Sequence, residues 1–241
     1  MFGLDQRLEF NDQDLTRWCV IEDIRLPLMA PVRNDWHDQL TLQSGKKHRR
    51  SQSMQMVIEI DARLWEQPDQ TLEEVAAELA ACLHTDGPAV LTVNGRNYNA
   101  VIDGSITRQD WFDLNSGVQL QFVCGDGTWF TDEITLDLPN ASSVVAIAGT
   151  APNRPLIELT LIATATTVFV KTGGNEMKLT VSWPAETVFV FDSENNTVSI
   201  NGTVDNTAMT LGSRLLVLTP GLNTIERSAG TAKLTYAPRY Y

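Results

Sequence analysis

The stretch Leu215–Tyr241, LLVLTPGLNTIERSAGTAKLTYAPRYY, decides how the chain is read. Its apolar start, Leu215–Leu218, predicts a strand that runs into a Thr219-Pro220-Gly221 turn. A second strand is expected around Asn223–Glu226. A polar Ser228-Ala229-Gly230 turn then leads into an alternating strand through Ala232, Leu234 and Tyr236. Proline presets one corner of a turn, and glycine accepts backbone angles that other residues avoid. On these grounds the stretch predicts two antiparallel hairpins that close a sandwich.

The same pattern extends upstream. Ile157, Leu159 and Leu161 alternate with Glu158 and Thr160, and Val168 and Val170 follow. Gly173-Gly174-Asn175 precedes Leu179 and Val181, Val188–Phe191 ends at Asp192, and Val198 and Ile200 precede Asn201-Gly202. Short strands at a spacing of about 10 residues, with turn residues between them, predict a sandwich or barrel. No apolar period of 3.6 residues appears in this half.

The first half mixes signals. Met54, Met56, Ile58 and Ile60 share one face of an expected strand, with Gln55, Glu59 and Asp61 on the other. Leu72–Leu83 predicts a helix. Thr71 and Glu74 stand at capping-box spacing, and Leu72, Val75, Leu79, Cys82 and Leu83 fall on one side. Gly87-Pro88 stops it. Asn94-Gly95, between Val90–Val93 and Tyr98–Ile102, is a strong hairpin signal, because both residues tolerate positive φ. Val118, Leu120 and Phe122 give one more strand. The expectation is a mainly β chain: an N-terminal antiparallel β-sandwich with one packed helix (α+β), then a second β-sandwich.

Charge supports a division. The 241 residues carry a net charge of −12, all of it in residues 1–139, whereas residues 140–241 balance at zero. The step coincides with Pro139-Asn140-Ala141-Ser142-Ser143, and a second punctuated joint lies at Gly149-Thr150-Ala151-Pro152. We therefore expect domains at 1–139 and 140–241. An acidic first domain argues against nucleic-acid binding as the main task, since bulk DNA affinity comes from Lys and Arg. No apolar run approaches the roughly 20 residues of a membrane helix, and MFGLDQRLEF does not read as a signal peptide. Cys19, Cys82 and Cys124 are odd in number and far apart, as buried free thiols would be.

Two sets of residues also resemble a known family. The wording L-x-PG-x-N-x-I (Leu218, Pro220, Gly221, Asn223, Ile225), with its Tyr/Arg-rich sequel, is similar to the last segment of siphophage distal tail proteins. The first half runs in that family's order. It has Pro27, Pro31-Val32-Arg33, a polar excursion Gln43–Ser53, the helix at 72–83, the Asn94-Gly95 hairpin and the strand Gln121-Phe122-Val123-Cys124 before Gly125-Asp126. The chain departs from the family after Asp126, where Gly127-Thr128-Trp129 stands in place of a Pro-Tyr pair and keeps a displaced aromatic. The resemblance implies a galectin-like second domain and a structural virion protein of a long-tailed, non-contractile phage, with no catalysis and no cofactor. It also implies a homo-oligomer, a hexameric ring of first domains. The ring's neighbours would be the tail tube and the tail-tip or baseplate proteins. DNA would pass through its channel unbound. The protein would be made in the host cytoplasm, without a membrane role, and located at the virion tail tip. The alternative is a glycan-binding β-sandwich module at a cell or virion surface.

Chemistry-bearing constellations are sparse. His37, His48 and His84 lack partners at metal spacing, and no HExxH, CxxC, GxSxG or P-loop appears. Asp103, Asp110 and Asp113 gather around Trp111-Phe112. They read as solvated loop charges, with paired-carboxylate work on a glycan the weaker alternative. Trp183, Phe189, Phe191, Tyr236, Tyr240 and Tyr241 read as core aromatics, with weak sugar stacking as the other use. The basic run Gly45–Arg50 reads as an exposed hairpin tip, with a nucleic-acid contact as an alternative in an otherwise acidic domain. Its functional use would be a subunit interface through Lys46, Lys47, Arg49 and Arg50, since opposite charges set the register of such contacts.

Overall fold

Alternation and turn chemistry produce two sets of antiparallel strands. The computed structural model describes residues 7–38, 46–65, 67–104, 107–109 and 117–241. The chain divides into two compact units, Met1–Trp129 and Phe130–Tyr240.

In the first unit the strands are β1 (Leu8–Phe10), β2 (Gln13–Asp14), β3 (Cys19–Arg25), β4 (Val32–Asp38), β5 (Lys46–Ser53) and β6 (Met56–Leu64). Helix α1 (Leu72–Leu83) precedes β7 (Ala89–Val93), β8 (Arg96–Ile102), β9 (Thr107–Gln109) and β10 (Gly117–Cys124). The main sheet runs β2-β1-β7-β8-β10-β6-β3, with β9 also on β10. Along β6, Met56, Ile58, Ile60, Ala62 and Leu64 are all buried, as period-two alternation requires. Met54 does not join them. It precedes the strand and is exposed, its N–H donating to Pro31 O at 2.7 Å.

Phe10 on β1 and Phe122 on β10 meet with ring centroids 5.1 Å apart and planes tilted by 52°. Three strand steps separate them in the sheet, about 14 Å if it were flat at the usual spacing. The sheet therefore curls over its own core. Helix α1 closes that core with Val75, Leu79 and Leu83 buried and Leu72 and Cys82 packed beside them. Its start is the expected capping box: Thr71 Oγ1 accepts from Glu74 N–H, and Glu74 Oε2 accepts from Thr71 N–H at 2.8 Å. Glu78 has a further task. It accepts from Trp18 Nε1 at 2.9 Å and from Gln70 Nε2 at 2.6 Å, pinning the helix to the segment that leads into β3.

A two-residue strand, β11 (Trp129–Phe130), lies at the division. The second unit then comprises β12 (Ile134–Leu138), β13 (Ser142–Ile147), β14 (Leu156–Thr160), β15 (Val168–Thr172), β16 (Asn175–Leu179) and β17 (Val188–Asp192). It continues with β18 (Thr197–Ile200), β19 (Thr203–Val204), β20 (Gly221–Arg227), β21 (Thr231–Tyr236) and β22 (Arg239–Tyr240). One sheet runs β12-β21-β14-β17-β18-β19 and the other β13-β20-β15-β16. Ile157, Leu159, Phe189, Phe191 and Leu234 from the first meet Val168, Val170, Met177, Leu179 and Ile225 from the second in one core. This is a galectin-like β-sandwich, so the mainly β architecture expected from the sequence is borne out.

Three sequence expectations are corrected here. Leu215–Leu218 is not a ladder strand: Leu216 and Leu218 are buried, but the main chain makes one bridge, Asn153↔Leu218. Val181 lies outside β16 and is exposed. The largest correction concerns β20 and β21, which do not form a hairpin. β20 lies between β13 and β15, and β21 lies between β12 and β14, so the Ser228–Gly230 turn carries the chain from one sheet to the other.

Candidate functional site

Among the described residues, strands β4 and β5 pair only with each other, as a two-stranded arm apart from the main sheet. Their register places Asp35 opposite Arg50, His37 opposite Lys47 and Asp38 opposite Lys46, and it shifts between Asp35 and Trp36. The basic run is thus on a paired strand, with acidic positions across from two of its members. The side chains of Lys46, Lys47, Arg49 and Arg50, like those of His37 and His48, lie outside the described residues. At the arm's base, Leu28, Met29, Val32 and Met54 expose apolar surface.

The exposed face beside the arm is rich in acid. Arg25 on β3 meets Glu59 at 3.0 Å, Asp61, and Asp23 at 3.3 Å, and Arg63 meets Glu22. The Glu59 hydrogen bond, then the charge of Asp61, hold the Arg25 guanidinium above the usual arginine range. Through Trp129 the chain carries 20 Asp+Glu against 11 Lys+Arg, so such pairs leave acid in excess.

The other candidates resolve into packing or surface. Phe189 and Phe191 are fully buried, Tyr236 nearly so, and Trp183 meets Phe189 edge-on with centroids 5.5 Å apart. These rings fill the sandwich core. Tyr241 is exposed. His84 caps the end of α1, its N–H donating to Ala80 O at 3.1 Å. Asp103 is exposed and accepts from Gly104 N–H, while Asp110, Trp111, Phe112 and Asp113 lie outside the described residues. Cys19 and Cys124 are buried free thiols that burial pushes up to about 12, and Cys82 is a half-buried free thiol raised by the same cause. Among the described residues there is no group of three His, Cys, Asp or Glu side chains placed to hold a metal ion. Among the described residues no helix is long and apolar enough to cross a membrane.

The quoted stretch carries two devices that sequence reading missed. Asn223 grips the Thr219-Pro220-Gly221 turn. Its Nδ2 donates to Thr219 O at 2.6 Å and to Gly221 O at 3.0 Å, and its Oδ1 accepts from Thr219 N–H at 3.1 Å. This explains why an Asn stands two residues after the Pro-Gly pair. Arg227 is buried, and its guanidinium donates to Ser228 O, Gly230 O and Leu138 O at 3.0, 2.8 and 2.7 Å. Burial pulls it below the usual arginine range. An Arg at an inward-facing strand position is the signal that could have marked it, since arginine is almost never fully buried without partners.

Residues 148–240 match the family model described as siphovirus-type tail component, C-terminal domain. The SPP1 Dit protein (gp 19.1), described as a paradigm of hub adsorption apparatus in Gram-positive infecting phages, shares the fold. The TM-score is 0.83 at 18% identity, over 99% of this chain and 100% of that one. A chain of the phage p2 baseplate in its activated conformation with Sr gives a TM-score of 0.56 at 10% identity, over 97% of this chain and 98% of that one. The same baseplate with Ca gives 0.54 at 10% identity, over 95% and 97%. Comparison with curated proteins found no match. The resemblance to siphophage distal tail proteins is thus borne out by the family match and by the fold.

Proposed function

We infer that this chain is a structural component of a siphophage tail, a hub protein at the tail tip. The observation that carries the reading is a fold shared with the SPP1 hub protein over nearly the whole chain, joined to the family match over residues 148–240. In this reading the first unit builds a hexameric ring joining the tail tube to the tail tip or baseplate. The work is geometric: a rotation between identical subunits that closes on itself. The protein is located in the virion and needs no catalytic group.

The interface proposal keeps the basic run. Lys46, Lys47, Arg49 and Arg50 meet the acidic surface of the adjacent first unit, where acids outnumber bases 20 to 11. The same excess keeps DNA from adhering to the channel wall. It also pushes subunits apart over a Debye length of about 10 Å at 0.1 M salt; salt weakens the contact of the basic run as well, but the larger count of acids makes repulsion the greater effect, so assembly tightens as salt rises.

Electron microscopy of the purified protein tests the ring, with six-fold particles around an open channel expected. Particles without rotational symmetry across a range of concentrations and salt overturn it. Reversing all four basic residues to Glu should dissolve the ring at low concentration, and undiminished assembly removes the interface. Duplex DNA that binds at micromolar concentration in low salt and is released by added salt refutes the acidic conduit.

A further inference from the structure

A strand at the rim of a sheet offers unpaired main-chain groups to any other strand, and folded proteins usually guard that rim. Most rims here are guarded. β3 carries Glu22, Asp23 and Arg25 and a register shift between Ile21 and Asp23. β12 carries Asp137 and follows Asp132 and Glu133. β2 and β19 are two residues each. The rim of β16 is covered by its own chain: Thr210 N–H donates to Lys178 O at 2.8 Å, Arg214 N–H donates to Glu176 O at 2.7 Å, and Ser213 Oγ accepts from Lys178 N–H at 3.2 Å.

β13 differs. It is the end strand of its sheet, and its sequence, Ser-Ser-Val-Val-Ala-Ile, has no charge and no proline. Its register with β20 pairs Ser143 with Ile225, Val145 with Asn223 and Ile147 with Gly221. Arg227 N–H donates to Ala141 O at 2.8 Å, which fixes the phase of the ladder. The odd-numbered residues aim their main-chain groups at β20, and Ser142, Val144 and Ala146 aim theirs outward. All three are exposed, Val144 at 66%. The open stretch ends at Ala148, whose N–H is taken by the Tyr236 hydroxyl at 3.2 Å.

We propose that β13 is a pairing edge whose partner is the same edge of a second copy of this chain, joined antiparallel about a two-fold axis at Val144. The outward groups are symmetric about that residue. With one copy reversed, Val144 faces Val144 and Ser142 faces Ala146, so each facing pair exchanges both its hydrogen bonds. An uncharged edge meets itself without the repulsion that Glu22 or Asp137 would bring to theirs. Leu222, exposed at 78% and opposite Ala146 on β20, extends the apolar face on each side of the seam. The four-stranded sheet of one copy then continues into that of the other. The pairing is argued from this edge alone and does not rest on the proposed ring.

Cross-linking of the full chain tests the register. Residues facing each other across an antiparallel pair lie with Cα atoms about 5.5 Å apart, within reach of a short bis-maleimide that adds one thiol from each chain. V144C should form covalent dimers by itself. S142C should not, but S142C mixed with A146C should. The unsubstituted chain, whose Cys19 and Cys124 are buried, supplies the background. No dimer from V144C, or S142C linking to itself as well as V144C does, overturns the proposal. Light scattering of the full chain gives a second measurement. V144K alters an exposed side chain, so melting should be unchanged while the particle mass falls about twofold. Equal masses overturn the pairing. Six-fold particles seen by microscopy for both proteins leave the ring reading intact whichever way the pairing falls.

Discussion

Two turns of similar composition link neighbouring strands by different means. Asn94-Gly95 returns β7 onto β8 within one sheet, with Val93 opposite Arg96 and both turn residues at positive φ, 51° and 77°. A Cβ added at Gly95 would meet no atom within 4 Å, so that turn is set by torsional preference alone. Ser228-Ala229-Gly230 instead moves the chain between sheets. A Cβ added at Gly230 would sit 2.3 Å from Thr160 O, and the Arg227 guanidinium draws Ser228 O, Gly230 O and Leu138 O together. One turn is written in its own residues. The other is written in what surrounds it, and its polar small residues only permit it.

The contrast can be broken at its strongest point by Arg227→Ala. A buried carbonyl left unpaired costs about 1–3 kcal/mol; the bonds to Ser228 O and Leu138 O are buried and that to Gly230 O is half-buried, so chemical denaturation should show a loss of about 3–5 kcal/mol. A loss below about 1 kcal/mol would mean the arch holds without its guanidinium. Next comes a matched pair. Gly230→Ala should cost about 1–3 kcal/mol through crowding, and Gly95→Ala about 1 kcal/mol through strain at positive φ. Asn in place of Ala separates the causes. At position 95 Asn should recover most of the loss, whereas at 230 the larger side chain should deepen it.

A smaller effect is expected at the other locally written feature, the capping box. Thr71→Ala should cost about 1 kcal/mol. Smallest is the pH response of the same box. The Thr71 main-chain N–H, then its hydroxyl, hold the Glu74 carboxyl below the usual carboxylate range. Its folded value therefore lies below its unfolded value. The stability it contributes is complete above the unfolded value and is lost as pH falls through the folded one. Urea titrations between about pH 5 and pH 3 should show this slope in the parent and a shallower one in Thr71→Ala.

What was legible in the sequence follows the same line. The helix, its cap, the Asn94-Gly95, Gly173-Gly174 and Asn201-Gly202 turns and the alternation of β6, β10 and β14 depend on neighbours within a few residues. Each appears where expected. The sheet to which a strand belongs depends on residues far along the chain. Ser228–Gly230 therefore read as a hairpin turn when it is a crossing. Leu215–Leu218 read as a strand because buried leucines look alike whether or not their main chain is paired. The task of Glu78 was not legible, since nothing near it in sequence announces Trp18. The basic run was legible as composition, and the pairing of Asp35 with Arg50 and Asp38 with Lys46 positions was not.

The placement of β20 and β21 also bears on the order of synthesis. Each is an interior strand, flanked on both sides, although their residues, 221–236, are among the last of the second unit to leave the ribosome. When translation has reached Pro220, β12 lacks its neighbour β21, β13 lacks β20, and both lie more than seventy residues back along the chain. Pairing of such distant segments is slow and leaves apolar surface exposed meanwhile. The second unit is thus assembled like an arch, with its keystones set last. A chain interrupted before Gly221 would lack the middle of both sheets rather than a rim.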